Sequence, residues 1–275
     1  MKTKFTKFLL AIVAIAMCLF IVGCPKPGRK PMAWDKCTLS SNWHGSNASM
    51  RIMNILSPLF SDQQFNDRYN WAKGRGVNYF NLFVVNKKDG EGAGYSMFGP
   101  DFSGNYGNID KAFADKMTAR IKKIYNDGNG IVLWLMADDS NDWAKKFASN
   151  PQPVIDAMDK LGWFKYASII VLGLEMDEYW NSTQVNAVYS ATRTKWNGMI
   201  GTHHTSGKYS FFNFGDIVFY QVNPGTATGT IISQCKNVGA KTGKKIVAFE
   251  IERQEARDKC DQILKSGAAY SVGNW

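Results

Sequence analysis

The stretch IIVLGLEMDE, residues 169–178, is an apolar run that ends in three carboxylates. A second stretch of the same kind, KIVAFEIE at residues 245–252, is apolar at first and then contains two further carboxylates. Short apolar runs of this kind are typical of strands buried on both faces in a parallel sheet. A buried charge is costly unless it has a partner, so carboxylates at the ends of such strands need a reason. The two stretches predict strands that bring carboxylates to the carboxyl edge of one sheet.

Six further apolar runs have strand composition, and amphipathic helical stretches separate most of them. Strand–helix alternation predicts parallel strands with right-handed crossovers, and eight strands favour a closed (β/α)8 TIM-type barrel. An open doubly wound sheet is the alternative, although no glycine fingerprint of a dinucleotide fold follows the first strand. The six runs lie at residues 77–85, 130–136, 199–203, 216–222 and 268–272, with a first strand expected near 43–54.

The predicted helices cover residues 61–73, 110–126, 141–161, 182–196, 229–239 and 253–266. Pro151 and Pro153 lie inside the third, which should therefore break into two helices. The sequence ends at Trp275, directly after the eighth predicted strand. The predicted barrel therefore lacks an eighth helix, and the segment 34–39 or a partner would have to cover the gap.

The N-terminus resembles the signal peptide of bacterial lipoproteins, with lysines, an apolar run over residues 8–22 and the tetrad Ile21-Val22-Gly23-Cys24. The resemblance implies removal of residues 1–23, a lipid on Cys24, and an exported protein anchored in the cell envelope. Residues 24–36 would form a basic tether near lipid headgroups, and residues 37–275 a single domain. An uncleaved membrane anchor is the alternative.

The formal net charge is +10, and loss of the signal peptide would remove three lysines. A moderately basic surface suits an anionic polymer or membrane face. Nucleic acid is not predicted as a partner, because no basic stripe with interleaved aromatics is present. Cys37, Cys235 and Cys260 would remain in the mature chain, and either a Cys235–Cys260 bridge or buried free thiols fit the sequence.

The polar residues that close the predicted strands should meet at one rim, where TIM barrels form their active sites. Within this pattern, GLEMDE at 173–178 resembles the strand-four signature of the clan A glycoside hydrolases, and KIVAFE at 245–250 resembles their strand-seven signature. The resemblance implies that Glu178 is the acid/base and Glu250 the nucleophile. It also implies that Tyr220 bonds the nucleophile and that Trp275 forms the floor of a sugar subsite.

Two positions depart from the clan pattern. Asp177 stands where the clan has an asparagine that binds the sugar 2-hydroxyl, and Asn81 lies where the clan has an arginine, for which Arg51 could substitute. Glu252 shares a strand face with Glu250 and is an alternative nucleophile.

Neighbouring histidines on a strand point to opposite faces, so His203 and His204 should not bind one metal ion together. A sugar-positioning role is expected for His204, and no metal or cofactor is expected.

These features favour a retaining glycoside hydrolase that cleaves a polysaccharide or glycan with two carboxyl groups about 5–5.5 Å apart. A non-catalytic carbohydrate-binding lipoprotein on a degenerate barrel is the first alternative. An envelope interaction protein without a sugar role is the second. The carboxylates could also serve structure alone, in ion pairs with Arg253 or Lys208.

Overall fold

The computed structural model describes residues 38–41, 52–86, 94–100, 106–136, 141–205 and 213–274. Eight parallel strands in these residues close into a barrel, which confirms the (β/α)8 TIM-type fold over the open sheet. A separate antiparallel pair, β3 (Tyr95–Ser96) and β4 (Gly99–Pro100), comes between the second and third barrel strands in the sequence. The barrel strands, in order around the barrel, are β1 (Leu39–Ser41), β2 (Tyr79–Phe83), β5 (Gly130–Trp134), β6 (Ile169–Val171), β7 (Met199–His204), β8 (Ile217–Gln221), β9 (Lys245–Ile251) and β10 (Ser271–Asn274).

Eight α-helices lie in the described residues. The predicted break at Pro151 is confirmed, since one helix ends at Ser149 and the next begins at Gln152. Two crossovers, before and after β6, carry two helices each, and no helix in the described ranges lies between β7 and β8 or after β10. The helices are α1 (Asp62–Gly74), α2 (Lys111–Asn126), α3 (Asn141–Ser149), α4 (Gln152–Lys160), α5 (Met176–Tyr179), α6 (Ser182–Lys195), α7 (Thr228–Thr242) and α8 (Arg253–Lys265).

The first strand differs from the prediction. It spans Leu39–Ser41, whereas Ile52–Asn54, inside the predicted range, forms a short 3-10 helix. The strand pairs with β10 and β2 and closes the barrel. The hydrophobic pattern of the sequence does not reveal this strand, because the strand is short and polar. Its Ser40 is buried and accepts a hydrogen bond of 2.5 Å from Nδ2 of Asn81, which satisfies both polar groups.

The upper end of the barrel interior is filled by five rings, here called the aromatic floor: Phe83, Trp134, His203, Phe219 and Phe249. Their contacting ring centroids lie 5.0–6.3 Å apart, and all five are buried. Aromatic pairs at these separations stabilise beyond the area they bury. The floor therefore closes the barrel beneath the rim formed by the strand ends.

Two glycines make room for the floor. A Cβ at Gly201 would lie 2.8 Å from Cε2 of Phe219, and one at Gly273 would lie 2.6 Å from Cδ2 of Phe249. A side chain at either position would displace a floor ring, so these strands need glycine there.

The cysteines settle one open alternative. Cys260 is disulfide-bonded, whereas Cys235 is free and buried. A Cys235–Cys260 bridge is therefore wrong. Within those residues, no helix is both long and apolar enough to cross a lipid bilayer.

Candidate active site

The carboxyl ends of four consecutive barrel strands bring the predicted acidic residues to one part of the rim. Glu175, Asp177 and Glu178 follow β6, and Glu250 lies near the end of β9, with β7 and β8 between them. All strands are parallel, so these ends share one side of the barrel. Residues 169–178 and 245–252 thus reach the same rim of the barrel.

Glu250 sits at an irregularity in β9. Its φ is +63°, in the left-handed region that non-glycine residues rarely adopt. Phe249 before it faces the barrel interior, whereas Ile251 after it packs in the outer layer against α7 and α8. In a regular strand these two residues would share a face. The backbone turn at Glu250 therefore breaks the alternation and holds this partly buried residue at the rim.

Gln221 fixes the Glu250 side chain. Its Nε2 donates a hydrogen bond of 2.6 Å to Oε2 of Glu250 from the neighbouring strand β8. A short bond to an ionised carboxylate is among the stronger hydrogen bonds in proteins. Oε1 of the same Gln221 is buried and has no partner within the described chain. The amide group therefore offers an unused acceptor within a few ångströms of the Glu250 carboxylate.

Tyr220 and His204 lie on the opposite face of the sheet from Gln221. Tyr220, expected to bond the nucleophile, packs with Val218 and Ala248 in the outer layer between the barrel and the helices. His204, expected to position sugar, is the register partner of Tyr220 and so shares its face of the sheet. On β7 and β8 the interior-facing positions belong instead to His203, Phe219 and Gln221.

The segment after β6 turns sharply at Glu175. Its φ is +42°, and its amide nitrogen donates a hydrogen bond of 2.9 Å to Nδ1 of His203. The one-turn helix α5 follows. Both carboxylate oxygens of Asp177 lie 3.1–3.2 Å from the amide nitrogen of Thr205, and Oγ1 of Thr205 donates to one of them at 2.7 Å. Glu178, the expected acid/base, is exposed.

His203 is neutral in the folded protein. Burial lowers its pKa to about 3, and burial likewise lowers the pKa of His204 to about 2. Because Nδ1 of His203 accepts the Glu175 amide, its proton is assigned to Nε2. That nitrogen is buried without a partner in the ranges described. His203 is thus a neutral donor anchored beneath the rim.

The remaining expected site residues lie elsewhere. Asn81 is fully buried, accepts a hydrogen bond of 2.9 Å from Nε1 of Trp134 and donates to Ser40, so it supports the aromatic floor from below. Glu252 is exposed and precedes α8 as its N-cap residue. Trp275 and the lipidation candidate Cys24 lie outside the described residues.

The sequence analysis gave no site role to three residues that lie at this rim: Gln221, His203 and Thr205. The period of two along β8 could have identified Gln221, because it shares a strand face with Phe219, whereas Tyr220 shares the opposite face with Val218. His203 and Thr205 stand in a run of similar polar residues, where the sequence gives no signal for the face. Among the described residues, no group of three or more histidine, cysteine or acidic side chains could hold a metal ion.

Comparison with known proteins gives a likeness in fold. No protein-family model and no curated protein matches the chain. A GH113 β-1,4-mannanase complex superposes with a TM-score of 0.55 and 9% identity, over 86% of this chain and 87% of the other. GH5_18 from Bifidobacterium longum subsp. longum gives a TM-score of 0.63 and 11% identity, over 87% and 69%.

An exo-β-1,4-mannosidase from Opitutaceae bacterium strain TAV5 gives a TM-score of 0.56 and 12% identity, over 92% of this chain and 55% of the other. Identities this low establish the architecture alone. The chain therefore has the (β/α)8 barrel fold that these glycoside hydrolases share, with acidic residues at the ends of its fourth and seventh barrel strands.

Proposed function

We propose that this protein is a retaining glycoside hydrolase that cleaves a glycan. One observation carries the proposal: a closed barrel has a glutamate held by Gln221 near the end of its seventh strand, on the same rim as the acidic residues that follow its fourth. Two carboxyl groups that flank a glycosidic bond are the minimum equipment for its hydrolysis. No cofactor is required for this chemistry.

Glu250 is the proposed nucleophile. Its carboxylate attacks the anomeric carbon and forms a glycosyl–enzyme ester, and the hydrogen bond from Gln221 keeps the attacking group ionised and oriented. A carboxyl group from the segment after β6 protonates the leaving oxygen and later takes a proton from the water that hydrolyses the ester. The resemblance to clan A implies Glu178 for this second role.

The proposed substrate is a β-1,4-linked glycan that contains mannose. The support is the names of structural neighbours: a β-1,4-mannanase, an exo-β-1,4-mannosidase, and a GH5_18 variant solved in complex with Manβ1-4GlcNAc. A β-1,4-galactanase is also similar, with a TM-score of 0.50 and 11% identity, so galactan belongs in any substrate panel.

The test is a hydrolysis panel of β-1,4-mannan, β-1,4-galactan and Manβ1-4GlcNAc, read by product chromatography, with the product anomer followed by proton NMR. We expect turnover with retained configuration, and a loss of at least about 10³-fold in Glu250→Gln. Glu255→Gln on α8 is the matched control. It makes the same chemical change at a carboxylate that pairs with Lys259 at 3.3 Å and has no proposed role in the reaction. An inverted product or an unaffected Glu250→Gln would contradict the proposal.

A non-catalytic carbohydrate-binding protein is the second candidate. The observation that favours it is Asp177, whose carboxylate oxygens already bond Thr205 where the clan offers an asparagine to the sugar. Calorimetric binding of the same glycans without product formation would establish this function in place of hydrolysis.

We also propose that the protein is exported and anchored through a lipid on Cys24, which would place the barrel beside its glycan in the envelope. The support is the basic, apolar and Cys24-terminated order of the first residues. Metabolic labelling with a radioactive fatty acid should mark the unaltered protein, and Cys24→Ser should abolish the label. Labelling that survives this substitution would contradict the anchor.

A further inference from the structure

We infer that Glu175, rather than Glu178, is the acid/base partner of Glu250; this inference rests on the proposed hydrolase function. In the first step the bond between the anomeric carbon and the leaving oxygen breaks as Glu250 attacks. The leaving oxygen keeps the electron pair and takes the proton of the Glu175 carboxyl group. In the second step water gives a proton to the Glu175 carboxylate, its oxygen attacks the anomeric carbon, and Glu250 is released.

The backbone singles out the same two glutamates. Glu175 and Glu250 are the two non-glycine residues with positive φ in the described part of the chain, at +42° and +63°. A left-handed conformation is unfavourable for a residue with a side chain, and glycine at these positions would avoid that cost. Strained residues of this kind concentrate at active sites, where their surroundings hold them in place. Both stand where a barrel strand gives way to the rim.

One side chain connects the two positions. His203 accepts the Glu175 amide at 2.9 Å, and its ring centroid lies 5.1 Å from that of Phe249, the residue directly before Glu250. His203 and Phe249 are both fully buried in the aromatic floor. The backbone of Glu175 is therefore fixed to the same rigid layer that carries Glu250, which is the preorganisation that joint action on one bond requires.

Glu178 lies one turn further from this layer. Its amide bonds the Glu175 carbonyl at 2.9 Å, and its side chain is exposed, whereas Glu175 is partly buried. Of the two, Glu175 is the residue whose backbone bonds the buried layer directly. Asp177 does not compete for the role, because Thr205 donates to its carboxylate from both amide and hydroxyl.

Two of the buried polar atoms without partners in the described ranges belong to side chains of this arrangement. They are Nε2 of His203, a donor, and Oε1 of Gln221, an acceptor. Buried polar groups in folded proteins almost always have partners, so a bound substrate is expected to pair with these two atoms. Each belongs to a side chain that bonds one of the two inferred catalytic glutamates. A ligand rich in hydroxyl groups matches a donor and an acceptor in this arrangement.

The test compares Glu175→Gln with Glu178→Gln on two probes, mannotetraose and 2,4-dinitrophenyl β-mannobioside. The dinitrophenolate leaves without a proton, so loss of the acid/base spares its departure. We expect Glu175→Gln to lose about 10²–10⁴-fold in kcat/KM on mannotetraose and far less on the dinitrophenyl probe. It should also lose the alkaline limb of the pH profile, and azide should restore turnover of the activated probe as the glycosyl azide.

Glu178→Gln should keep the alkaline limb, and Glu255→Gln controls for the loss of one negative charge. Should Glu175→Gln fold poorly, Glu175→Asn serves as the second variant, because asparagine tolerates the left-handed conformation. Transfer of the whole signature to Glu178→Gln would overturn this inference and leave the proposed function intact. Absence of turnover by the unaltered protein on every glycan would contradict both this inference and the proposed function.

Discussion

The amide nitrogen of Glu175 lies 2.9 Å from Nδ1 of His203, so a strained rim residue rests directly on the aromatic floor. The bond requires a neutral imidazole, and burial supplies one by lowering the pKa of His203 to about 3. The unfolded chain takes up this proton near its ordinary pKa of about 6.5. Stability is therefore unaffected by His203 above pH 6.5 and falls as the pH drops from 6.5 towards 3.

Replacement of His203 by asparagine should flatten this pH dependence. Asparagine keeps an acceptor for the Glu175 amide but cannot take up a proton, which removes up to about 1.4 kcal/mol per pH unit from the slope below pH 6.5. Urea unfolding at several pH values between 7.5 and 4.5 measures it. His204 stays as an internal reference, since burial lowers its pKa to about 2 and its own contribution remains. An unchanged slope would contradict the assignment of His203 as a buried neutral group.

Loss of the Gln221 amide should impair catalysis and spare the fold. In Gln221→Leu the ionised Glu250 loses its 2.6 Å donor, so the acid limb of the pH–activity profile should move to higher pH and kcat should fall about 10–100-fold. Gln63→Leu on the exposed side of α1 is the matched control. Tyr220→Phe in parallel tests the resemblance: a larger shift of the acid limb in that variant would return the role to Tyr220.

Asn81 should matter for stability. Asn81→Ala leaves the indole nitrogen of Trp134 and the Ser40 hydroxyl without the partners they have now, at a cost of about 2–4 kcal/mol in the free energy of unfolding. Chemical denaturation measures the loss, and Asn70→Ala on an exposed position of α1 should change it by less than about 0.5 kcal/mol. A stable Asn81→Ala protein with weakened glycan binding would instead support the expected substrate contact.

The two described cysteines should differ in chemistry. Alkylation of the unreduced protein in denaturant should label Cys235 and leave Cys260 unlabelled, because Cys260 is disulfide-bonded. In the folded protein Cys235 should also resist labelling, since burial raises the pKa of its thiol to about 12. Peptide mass spectrometry distinguishes these cases, and a labelled Cys260 would contradict the structure.

The sequence predicted most of the barrel because its long strands are apolar and its helices have clear boundaries. The run 245–251 matches β9 residue for residue, and α1 begins one residue after the predicted start at residue 61, where Ser61 and Gln64 form a capping box. The prediction from sequence failed for β1. Its polar Ser40 is buried against Asn81, and no local sequence pattern encodes this contact between residues far apart in the chain.

The site was predictable as a place but less so as a set of side chains. Carboxylates that end apolar runs located the rim, since charge at the end of a buried strand is informative on its own. Which neighbour faces inward depends on strand register and on local turns. The left-handed turns at Glu175 and Glu250 interrupt the alternation on which such reasoning relies, so the sequence does not show which way these two side chains face.

The two left-handed glutamates also bear on the protein's history. Mutation towards glycine or asparagine at residues 175 and 250 would relax the chain and raise its stability. In a lineage whose rim no longer served catalysis, such substitutions would accumulate without loss of function. Glutamate at both positions, against this backbone preference, is what selection for their carboxyl groups would produce.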